Sequence, residues 1–195
     1  MEKNNYSGTE LTSEQLKKEL ERSKSTPKAG GFIKGIIVVL IVIAAFVSVL
    51  TTLYFPIMSI HGGSMTPNLE DGNLVLGIKT EEFERGDVCA FYSGSSVLCK
   101  RIIAFGGETV EMDENGIVYI NGMPLTEDYI VAADIGNVDI EFPYTVPEQT
   151  YFVMGDNRST SIDSRSTKIG CVSESQMIGK LVYRFWPFDK IGTIE

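Results

Sequence analysis

Residues 35–55 of the chain read GIIVVLIVIAAFVSVLTTLYF, a run of 21 positions without a charged or strongly polar side chain. A helix of about 20 apolar residues is long enough to cross a hydrocarbon core about 30 Å thick. A buried helix of a soluble domain rarely lacks a polar face over this length. A cleaved signal peptide would have a shorter apolar region that ends at a small-residue site, and residues 53–58 offer no such site. The run therefore predicts an uncleaved transmembrane signal anchor over residues 35–56.

Charged residues on the two sides of this run predict its orientation. The first 34 residues carry seven basic and five acidic side chains, and the basic residues nearest the run, up to Lys34, all precede it. Beyond the run, the next Lys or Arg is Lys79. Basic residues are retained on the cytoplasmic side of a membrane. We therefore expect a single-pass protein of the cell membrane, with a cytoplasmic tail over residues 1–34 and an extracytoplasmic domain over residues 57–195.

The composition of the chain excludes several classes of protein. Its 195 residues are 43% apolar, with 19 Gly and 7 Pro that show no period, which excludes a disordered or collagen-like chain. The net charge of −9 argues against a nucleic-acid partner, because binding to phosphates needs clustered Lys and Arg. One histidine, His61, and three cysteines are too few for a dedicated zinc site, so we expect no metal.

The sequence after the apolar run predicts one mostly β domain, since residues 57–195 suit the size of a single domain. Short runs rich in β-branched and aromatic residues alternate there with Gly, Asn and Asp clusters. The runs that we expect to form strands are 73–78, 87–92, 97–105, 109–112, 117–120, 151–154 and 180–185. Hairpin turns are predicted at Glu114–Gly116, which contains an Asn-Gly pair, and at Ser93–Ser96. We therefore expect an antiparallel β domain behind one N-terminal transmembrane helix.

Three cysteines in an extracytoplasmic domain leave at least one thiol free or paired between chains. Cys89 and Cys99 flank the second hairpin and could lie near each other, whereas Cys171 has no evident mate. The favoured interpretation is that they act as small apolar side chains at buried strand positions. A cysteine nucleophile is disfavoured, because the histidine that would be its base is distant in sequence.

The first segment that could carry chemistry is residues 61–64, which read HGGS directly after the apolar run. Two glycines before a serine allow close backbone approach to an unhindered hydroxyl. The alternative interpretation is an ordinary turn serine. His61 is disfavoured as the base for Ser64, because it lies three positions away on the same extended segment.

The second segment contains Lys100 and Arg101 within the strand predicted at residues 97–105. Neighbouring strand residues point to opposite faces, so the two side chains must diverge, and Lys100 shares its face with Leu98 and Ile102. Apolar neighbours remove hydration and would lower the pKa of the lysine amine. A neutral amine can take the proton of a serine hydroxyl. The alternative is a pair of solvated charges on an edge strand.

The third segment, residues 155–165, reads GDNRSTSIDSR and follows an apolar strand. Such a polar run is either a solvated surface loop or a catalytic loop, in which hydroxyls orient an amine and ion pairs fix the backbone. On the second interpretation, the residues that would fix the loop are Asp156, Asn157, Arg158, Asp163 and Arg165.

Together, these segments resemble the type I signal peptidases, which are membrane-anchored serine peptidases with a Ser/Lys dyad. The resemblance covers residues 35–195 and rests on the anchor and on five matching segments. These are 63–69 (GSMTPNL), 85–88 (RGDV), 100–103 (KRII), 155–165 (GDNRSTSIDSR) and 179–187 (GKLVYRFWP). The resemblance implies Ser64 as the nucleophile, Lys100 as the general base and Ser161 as the hydroxyl that orients the lysine. It also implies a mostly antiparallel β fold with an active site close to the membrane surface.

Two departures from the family pattern concern local geometry. Some members carry a serine two positions before the nucleophile, where its hydroxyl helps to bind the oxyanion. This chain has Gly62 there, which is similar to the Gram-positive type, so the backbone N–H of Ser64 would carry more of that role. Many members also read Pro-Gly-Asp where this chain has Gly-Gly-Glu at residues 106–108.

The resemblance implies removal of N-terminal signal peptides from secreted preproteins after small residues of the Ala-x-Ala type, without a metal or organic cofactor. The expected partners are preproteins emerging from the secretion channel and membrane lipid. The peptide would add as a strand beside Gly62 and Gly63 and beside Val97, Leu98 and Cys99. The alternatives are a peptidase of the same family with a narrow substrate set, and a non-catalytic membrane-anchored binding domain.

An aromatic group near the C-terminus permits two interpretations. Trp186, with Tyr183, Phe185 and Phe188, forms either part of the core or an amphipathic patch that rests on the membrane interface.

Overall fold

Two helices occupy the N-terminal part of the chain in the computed structural model, which describes residues 12–25 and 29–194. They are Ser13–Ser25 (α1) and Ala29–Tyr54 (α2). Within α2, the 24-residue segment Gly31–Tyr54 contains an 18-residue stretch with a mean hydropathy of 3.0 and is long and apolar enough to cross a membrane. Part of the predicted cytoplasmic tail, including Lys28 of its basic flank, lies outside the described residues.

The rest of the described chain is built from short strands. Their bounds are Ile57–Ser59 (β1), Leu74–Ile78 (β2), Val88–Ser93 (β3), Ser96–Phe105 (β4), Thr109–Met112 (β5), Val118–Ile120 (β6), Met123–Pro124 (β7), Tyr144–Thr145 (β8), Thr150–Met154 (β9), Val172–Ser173 (β10), Met177–Trp186 (β11) and Gly192–Thr193 (β12). The seven predicted strands are all present, as β2 to β6, β9 and β11. The other five strands have two or three residues each, too few for a recognisable alternation of apolar and polar side chains.

The strands form two antiparallel sheets. The larger sheet has the order β1-β2-β11-β3-β4-β9-β10, with β12 paired to β11, and the smaller has the order β7-β6-β5-β8. Both predicted hairpins are confirmed: β3 and β4 pair up to Ser93 and Ser96, and β5 and β6 pair up to Met112 and Val118. The fold is therefore mostly β and antiparallel, as the sequence predicts.

Apolar side chains pack on both faces of the larger sheet. One cluster lies beneath the segment that carries Ser64, and its buried members are Ile60, Met65, Leu69, Val75, Val88, Ala90 and Leu181. A second cluster contains Cys89, Phe91, Ile102, Tyr151, Val153 and Val172. A third cluster joins the two sheets through Ile103, Ala104, Val110, Val118, Ile120, Val146, Phe152 and Met154. Each fully buried large apolar side chain contributes about 1.5–3 kcal/mol, so these clusters hold the strands in register.

The three cysteines form no disulfide bond, and two of the C-terminal aromatic side chains are exposed. Cys89, Cys99 and Cys171 are all free thiols, and the first two pack in different apolar clusters although they lie on paired strands. Trp186 and Phe188 stack edge to face with ring centroids 4.7 Å apart, and both are exposed. The interpretation of these two rings as core is therefore wrong, and the membrane-interface patch stays a prediction.

Candidate active site

Ser64 lies on a turn that is tied to the sheet on both sides. Before it, the N–H of Ile60 donates to the carbonyl of Asn73 over 2.8 Å. After it, the N–H of Leu69 donates to the carbonyl of Met65 over 2.8 Å, and both side chains are buried in the cluster beneath the turn. Apolar anchoring of Met65 and Leu69 therefore leaves the half-buried hydroxyl of Ser64 at the surface of the core.

Lys100 meets this hydroxyl from the middle of the larger sheet. Its Nζ donates a hydrogen bond of 2.6 Å to Ser64 Oγ, and the residue is 4% exposed. Strand β4 pairs with β3 on one side and β9 on the other, so the alternative of solvated charges on an edge strand is wrong. Burial is the main cause that lowers the pKa of Lys100, in the direction that the sequence predicts, although Asp163 and Asp156 act against it.

Arg101 points away from Lys100, as strand geometry requires, and forms a buried ion pair. Its Nε donates to Asp156 Oδ1 over 2.8 Å and its Nη2 donates to Asp156 Oδ2 over 2.7 Å. Its Nη1 donates to the carbonyl of Gly86 over 2.6 Å, and its guanidinium lies 4.0 Å from the ring centroid of Tyr129. One strand therefore presents an amine to the hydroxyl of Ser64 and a fixed cation to the opposite side.

Most of the polar segment 155–165 is buried, with only Ser159, Thr160 and Ile162 exposed, so its interpretation as a solvated surface loop is wrong. Asp163 accepts two hydrogen bonds of 2.9 Å from Nε and Nη2 of Arg165 and one of 2.9 Å from the N–H of Gly155. Burial would raise the pKa of Asp163, but the hydrogen bonds and charge of Arg165 offset it, so this pKa lies below its ordinary value. Arg158 donates to Glu127 over 2.9 and 2.5 Å. The ion pairs therefore fix the loop.

Asn157 links this loop to the turn that carries Ser64. Its backbone N–H donates to the carbonyl of Ser64 over 3.1 Å, and its Nδ2 donates to Thr66 Oγ1 over 2.9 Å. The N–H of Ser64 itself donates no hydrogen bond within the part of the chain that the structure describes. This N–H is therefore free to bind an oxygen of a substrate.

Ser161 is fully buried. Its hydroxyl meets no strict hydrogen-bond geometry with a described residue, but it lies close enough to the carboxylate of Asp163 to help lower the pKa of that group. It packs against Gly155, where any added Cβ would collide with Ser161 Oγ and with the carbonyl of Ser64. The hydrogen bond of Lys100 goes to Ser64 instead. The structure thus brings Ser161 next to the turn that carries Ser64, while its predicted role in orienting Lys100 stays a prediction.

A cavity of about 450 Å³ opens beside the Ser64–Lys100 pair. The predicted substrate-strand residues Val97, Leu98 and Cys99 line it, together with residues 58–61 of the segment before the turn. Gly62 and Gly63 are not among its lining residues. Four buried apolar side chains form part of its wall: Ile60, Met65, Ala90 and Leu181. An extended peptide can therefore lie between two strand-like segments with its side chains facing an apolar wall.

The cysteine beside this cavity is a poor nucleophile, and the described residues form no cluster of metal-binding side chains. Burial raises the pKa of Cys99 to about 12, so its thiol stays protonated at neutral pH and is a poor nucleophile. Across residues 12–25 and 29–194, the structure contains no group of three or more His, Cys, Asp or Glu side chains that could hold a metal ion. A serine hydroxyl that is hydrogen-bonded to an amine of lowered pKa is the arrangement suited to nucleophilic catalysis.

Several residues around this site could not be found from the sequence. Glu127, the partner of Arg158, is 31 positions away along the chain. Tyr129 and Asn68 contact the Arg101–Asp156 pair from two further segments. Glu127 and Tyr129 lie in an irregular segment without periodicity, and Asn68, although it belongs to the matching segment 63–69, gives no local sign of its distant partners.

Comparisons with known proteins identify relatives of this chain. A family profile described as "Signal peptidase, peptidase S26" matches residues 33–186. The chain is 39% identical over 142 residues to "Signal peptidase I" of Bacillus amyloliquefaciens, covering 66% of this chain and 72% of that one. It is 30% identical over 191 residues to "Signal peptidase I" of Bacillus licheniformis, covering 88% and 98%. A crystal structure of a signal peptidase I from Enterococcus faecalis is 38% identical, with a TM-score of 0.42, and covers 51% of this chain and 97% of that one.

Proposed function

The chain belongs to the signal peptidase family, peptidase S26, and from this membership and the site geometry we propose that it uses Ser64 and Lys100 as a catalytic dyad. Signal peptidase function, a serine-type peptidase activity and a membrane anchor follow from the family and its relatives. In this proposal, Ser64 is the nucleophile and Lys100 is the general base. The observation that supports it is the 2.6 Å hydrogen bond between Lys100 Nζ and Ser64 Oγ in a buried setting.

In the proposed acylation step, neutral Lys100 removes the proton of Ser64 as Oγ attacks the scissile carbonyl carbon. The C–O bond forms, the carbonyl π electrons move to oxygen, and Lys100 becomes an ammonium. The lysine proton then passes to the leaving nitrogen as the C–N bond breaks, which leaves an acyl-enzyme and restores the neutral amine. In deacylation, Lys100 removes a proton from water as the water oxygen adds to the acyl carbon, and this proton passes to Ser64 Oγ as the C–Oγ bond breaks.

Two further observations support this proposal. The backbone N–H of Ser64 has no acceptor within the described chain, so it can donate to the oxyanion as negative charge develops there. Lys100 is buried, which favours its neutral form and reduces competition from water.

The proposed substrates are preproteins with small residues at the −1 and −3 positions, Ala-x-Ala being typical. A cavity of about 450 Å³ with apolar walls suits small apolar side chains of an extended peptide. Main-chain hydrogen bonds to the segment before Ser64 and to residues 97–99 would provide affinity without a sequence requirement elsewhere. Membrane lipid surrounds the anchor in this proposal, because a 24-residue apolar helix matches the thickness of a bilayer.

Purified full-length protein in detergent micelles tests the dyad. We expect it to cleave a preprotein with an Ala-x-Ala site, whereas Ser64→Ala and Lys100→Met leave the substrate intact. Ser95→Ala, which changes an exposed serine of the β3–β4 hairpin, is the matched control and should retain full activity. Undiminished cleavage by Ser64→Ala would refute the assignment of the nucleophile.

The same assay separates the two remaining alternatives. A panel of unrelated preproteins that is cleaved with similar efficiency supports a general signal peptidase. Cleavage limited to one or two of them would favour a peptidase with a narrow substrate set. Binding without Ser64-dependent turnover would favour a non-catalytic binding domain.

We also propose a cytoplasmic N-terminus and an extracytoplasmic catalytic domain. The support is the distribution of basic residues, which precede the anchor up to Lys34 and resume at Lys79. Protease added to intact cells without an outer permeability barrier should digest a C-terminal tag and spare an N-terminal tag. Digestion of the N-terminal tag alone would reverse the orientation.

A further inference from the structure

We propose that Asn68 is a positioning residue, which holds the turn that carries Ser64 in register with the strand that carries Lys100. The inference rests on the proposed Ser64–Lys100 chemistry. It assigns to the side chain of Asn68 a mechanical role through Asp156 and Arg101, and no contact with the substrate is involved.

The amide of Asn68 uses both of its donor hydrogens to join distant segments. Its Nδ2 donates to Asp156 Oδ2 over 2.7 Å and to the carbonyl of Tyr129 over 2.7 Å. Its own backbone carbonyl accepts a hydrogen bond of 2.7 Å from Nη1 of Arg184. An amide nitrogen carries two donors, so both donors of this side chain are engaged, and neither Asp nor Leu could reproduce the arrangement.

These contacts close a ring around the catalytic pair. Lys100 and Arg101 are consecutive on β4 and diverge, one to Ser64 over 2.6 Å and the other to Asp156 over 2.7 Å. Asp156 then binds Asn68, which lies four positions after Ser64 on the same turn. The ring therefore fixes the turn against the strand from the side opposite to the Lys100–Ser64 hydrogen bond.

Tyr129 adds two contacts to this ring of hydrogen bonds. The centroid of its aromatic side chain lies 4.0 Å from the guanidinium of Arg101, and its backbone carbonyl accepts a hydrogen bond from Asn68 Nδ2. Asp156 and Arg101 are 2% and 1% exposed, so their hydrogen bonds are shielded from water and rigid. A rigid ring matters because a displacement of about 1 Å in a catalytic group can reduce the rate about 100-fold.

Asn68 also affects the electrostatics of Lys100 through Asp156. The charged or titratable groups that act on Lys100 are Asp163, Cys99, Asp156 and Arg165. A donor hydrogen bond from Asn68 partly neutralises Asp156. A carboxylate at position 68 would instead add a negative charge on the same side and stabilise the ammonium form of Lys100.

The experiment compares Asn68→Ala, Asn68→Thr and Asn68→Asp with the wild-type full-length chain in detergent micelles. We expect Asn68→Ala to lower kcat by roughly 10- to 100-fold, because the turn is released from Asp156. KM should change by less than about twofold, because Asn68 is not expected to contact the bound peptide. Asn68→Thr keeps one donor and should recover part of the loss. Asn121→Ala is the control. It removes one side-chain acceptor, Oδ1, to which the N–H of Thr109 on the smaller sheet donates, and it should leave kcat unchanged.

A second measurement does not depend on turnover. Amine-reactive labelling of Lys100, followed by mass spectrometry across a pH series, reports its pKa. We expect Asn68→Asp to move the labelling midpoint to higher pH than in the wild type, and the acid limb of kcat to move in the same direction.

The outcomes distinguish this inference from the proposed function. Wild-type cleavage that does not require Ser64 would overturn the dyad, whereas labelling of Lys100 would still report on Asn68. The inference is wrong if Asn68→Ala retains wild-type kcat, or if its loss of kcat equals its loss of folded protein and Asn68→Thr recovers nothing. An unchanged labelling midpoint in Asn68→Asp would also refute the link through Asp156.

Discussion

Replacing Gly155 with alanine tests how tightly the buried loop 155–165 packs against the nucleophile turn. A Cβ at this position would lie 2.5 Å from the carbonyl oxygen of Ser64 and 2.6 Å from Cβ of Ser161. Ordinary van der Waals contact begins at 3.4 Å, so the Ser64 carbonyl must retreat by 0.9 Å, and Ser161 Oγ, which would lie closer still to the added Cβ, must retreat further. The backbone of Gly155 does not adopt a positive φ, so steric collision alone is responsible for the effect.

The expected cost falls mainly on catalysis. A shift of about 1 Å at the nucleophile reduces the rate about 100-fold, which corresponds to about 2.7 kcal/mol in the activation barrier. Overpacking of a dense interior destabilises a fold by about 1–3 kcal/mol. Gly155→Ala should therefore remain folded at 25 °C, with a lower Tm and a strongly reduced kcat.

The assay is cleavage of an Ala-x-Ala preprotein, with kcat normalised to the folded fraction from thermal unfolding followed by circular dichroism. Gly192→Ala is the matched control, because an added Cβ there would meet no atom within 4 Å. We expect this control to keep the kcat and Tm of the wild type. If Gly155→Ala retained kcat within about threefold of the wild type, the turn would be more compliant than the packing implies, and the reasoning would fail.

Three other predictions concern the side chains around this turn. Because the pKa of Lys100 is lowered by burial, its neutral fraction grows as pH rises through that pKa, so acylation should accelerate along a single ionisation below the ordinary lysine value. Lys100→Arg, which cannot deprotonate, should be folded and inactive, and an active variant or a rate that declines through this ionisation would overturn the general-base role. Ser161→Ala should lower kcat far more than KM if the buried hydroxyl orients the lysine during turnover, and equal activity would remove it from the site. Arg101→Met should cost about 3–5 kcal/mol in chemical denaturation, because Asp156 is left buried without its cation, and adding Asp156→Leu should recover most of this loss.

The sequence predicted the elements that are defined by local pattern. Seven strands, two hairpins and the apolar helix followed from alternation, turn residues and the length of an uncharged run. The segments that carry Ser64 and Lys100 were also found, because their residue types suit acyl transfer and their order resembles a known family. Their burial could not be derived from the residues, since a Lys-Arg pair fits an exposed edge strand equally well.

What the sequence could not predict are contacts between segments that carry no periodic signal. Asn68 reaches Tyr129 over 61 positions and Asp156 over 88 positions. The partner of Arg158, Glu127, lies in the irregular chain between β7 and β8. Such contacts depend on how the two sheets pack, which no window of local sequence encodes.

The adjacency of Lys100 and Arg101 on β4 ties the site to the register of the sheet. Ser64 and Lys100 are 36 positions apart, and Arg101 and Asp156, which follows β9, are 55 positions apart, so both pairs are in place only when β9 has joined the sheet. A slip of one residue in the pairing of β4 would present a guanidinium to the hydroxyl instead of an amine. On the proposed roles of Ser64 and Lys100, correct pairing of β4 is therefore a condition for activity.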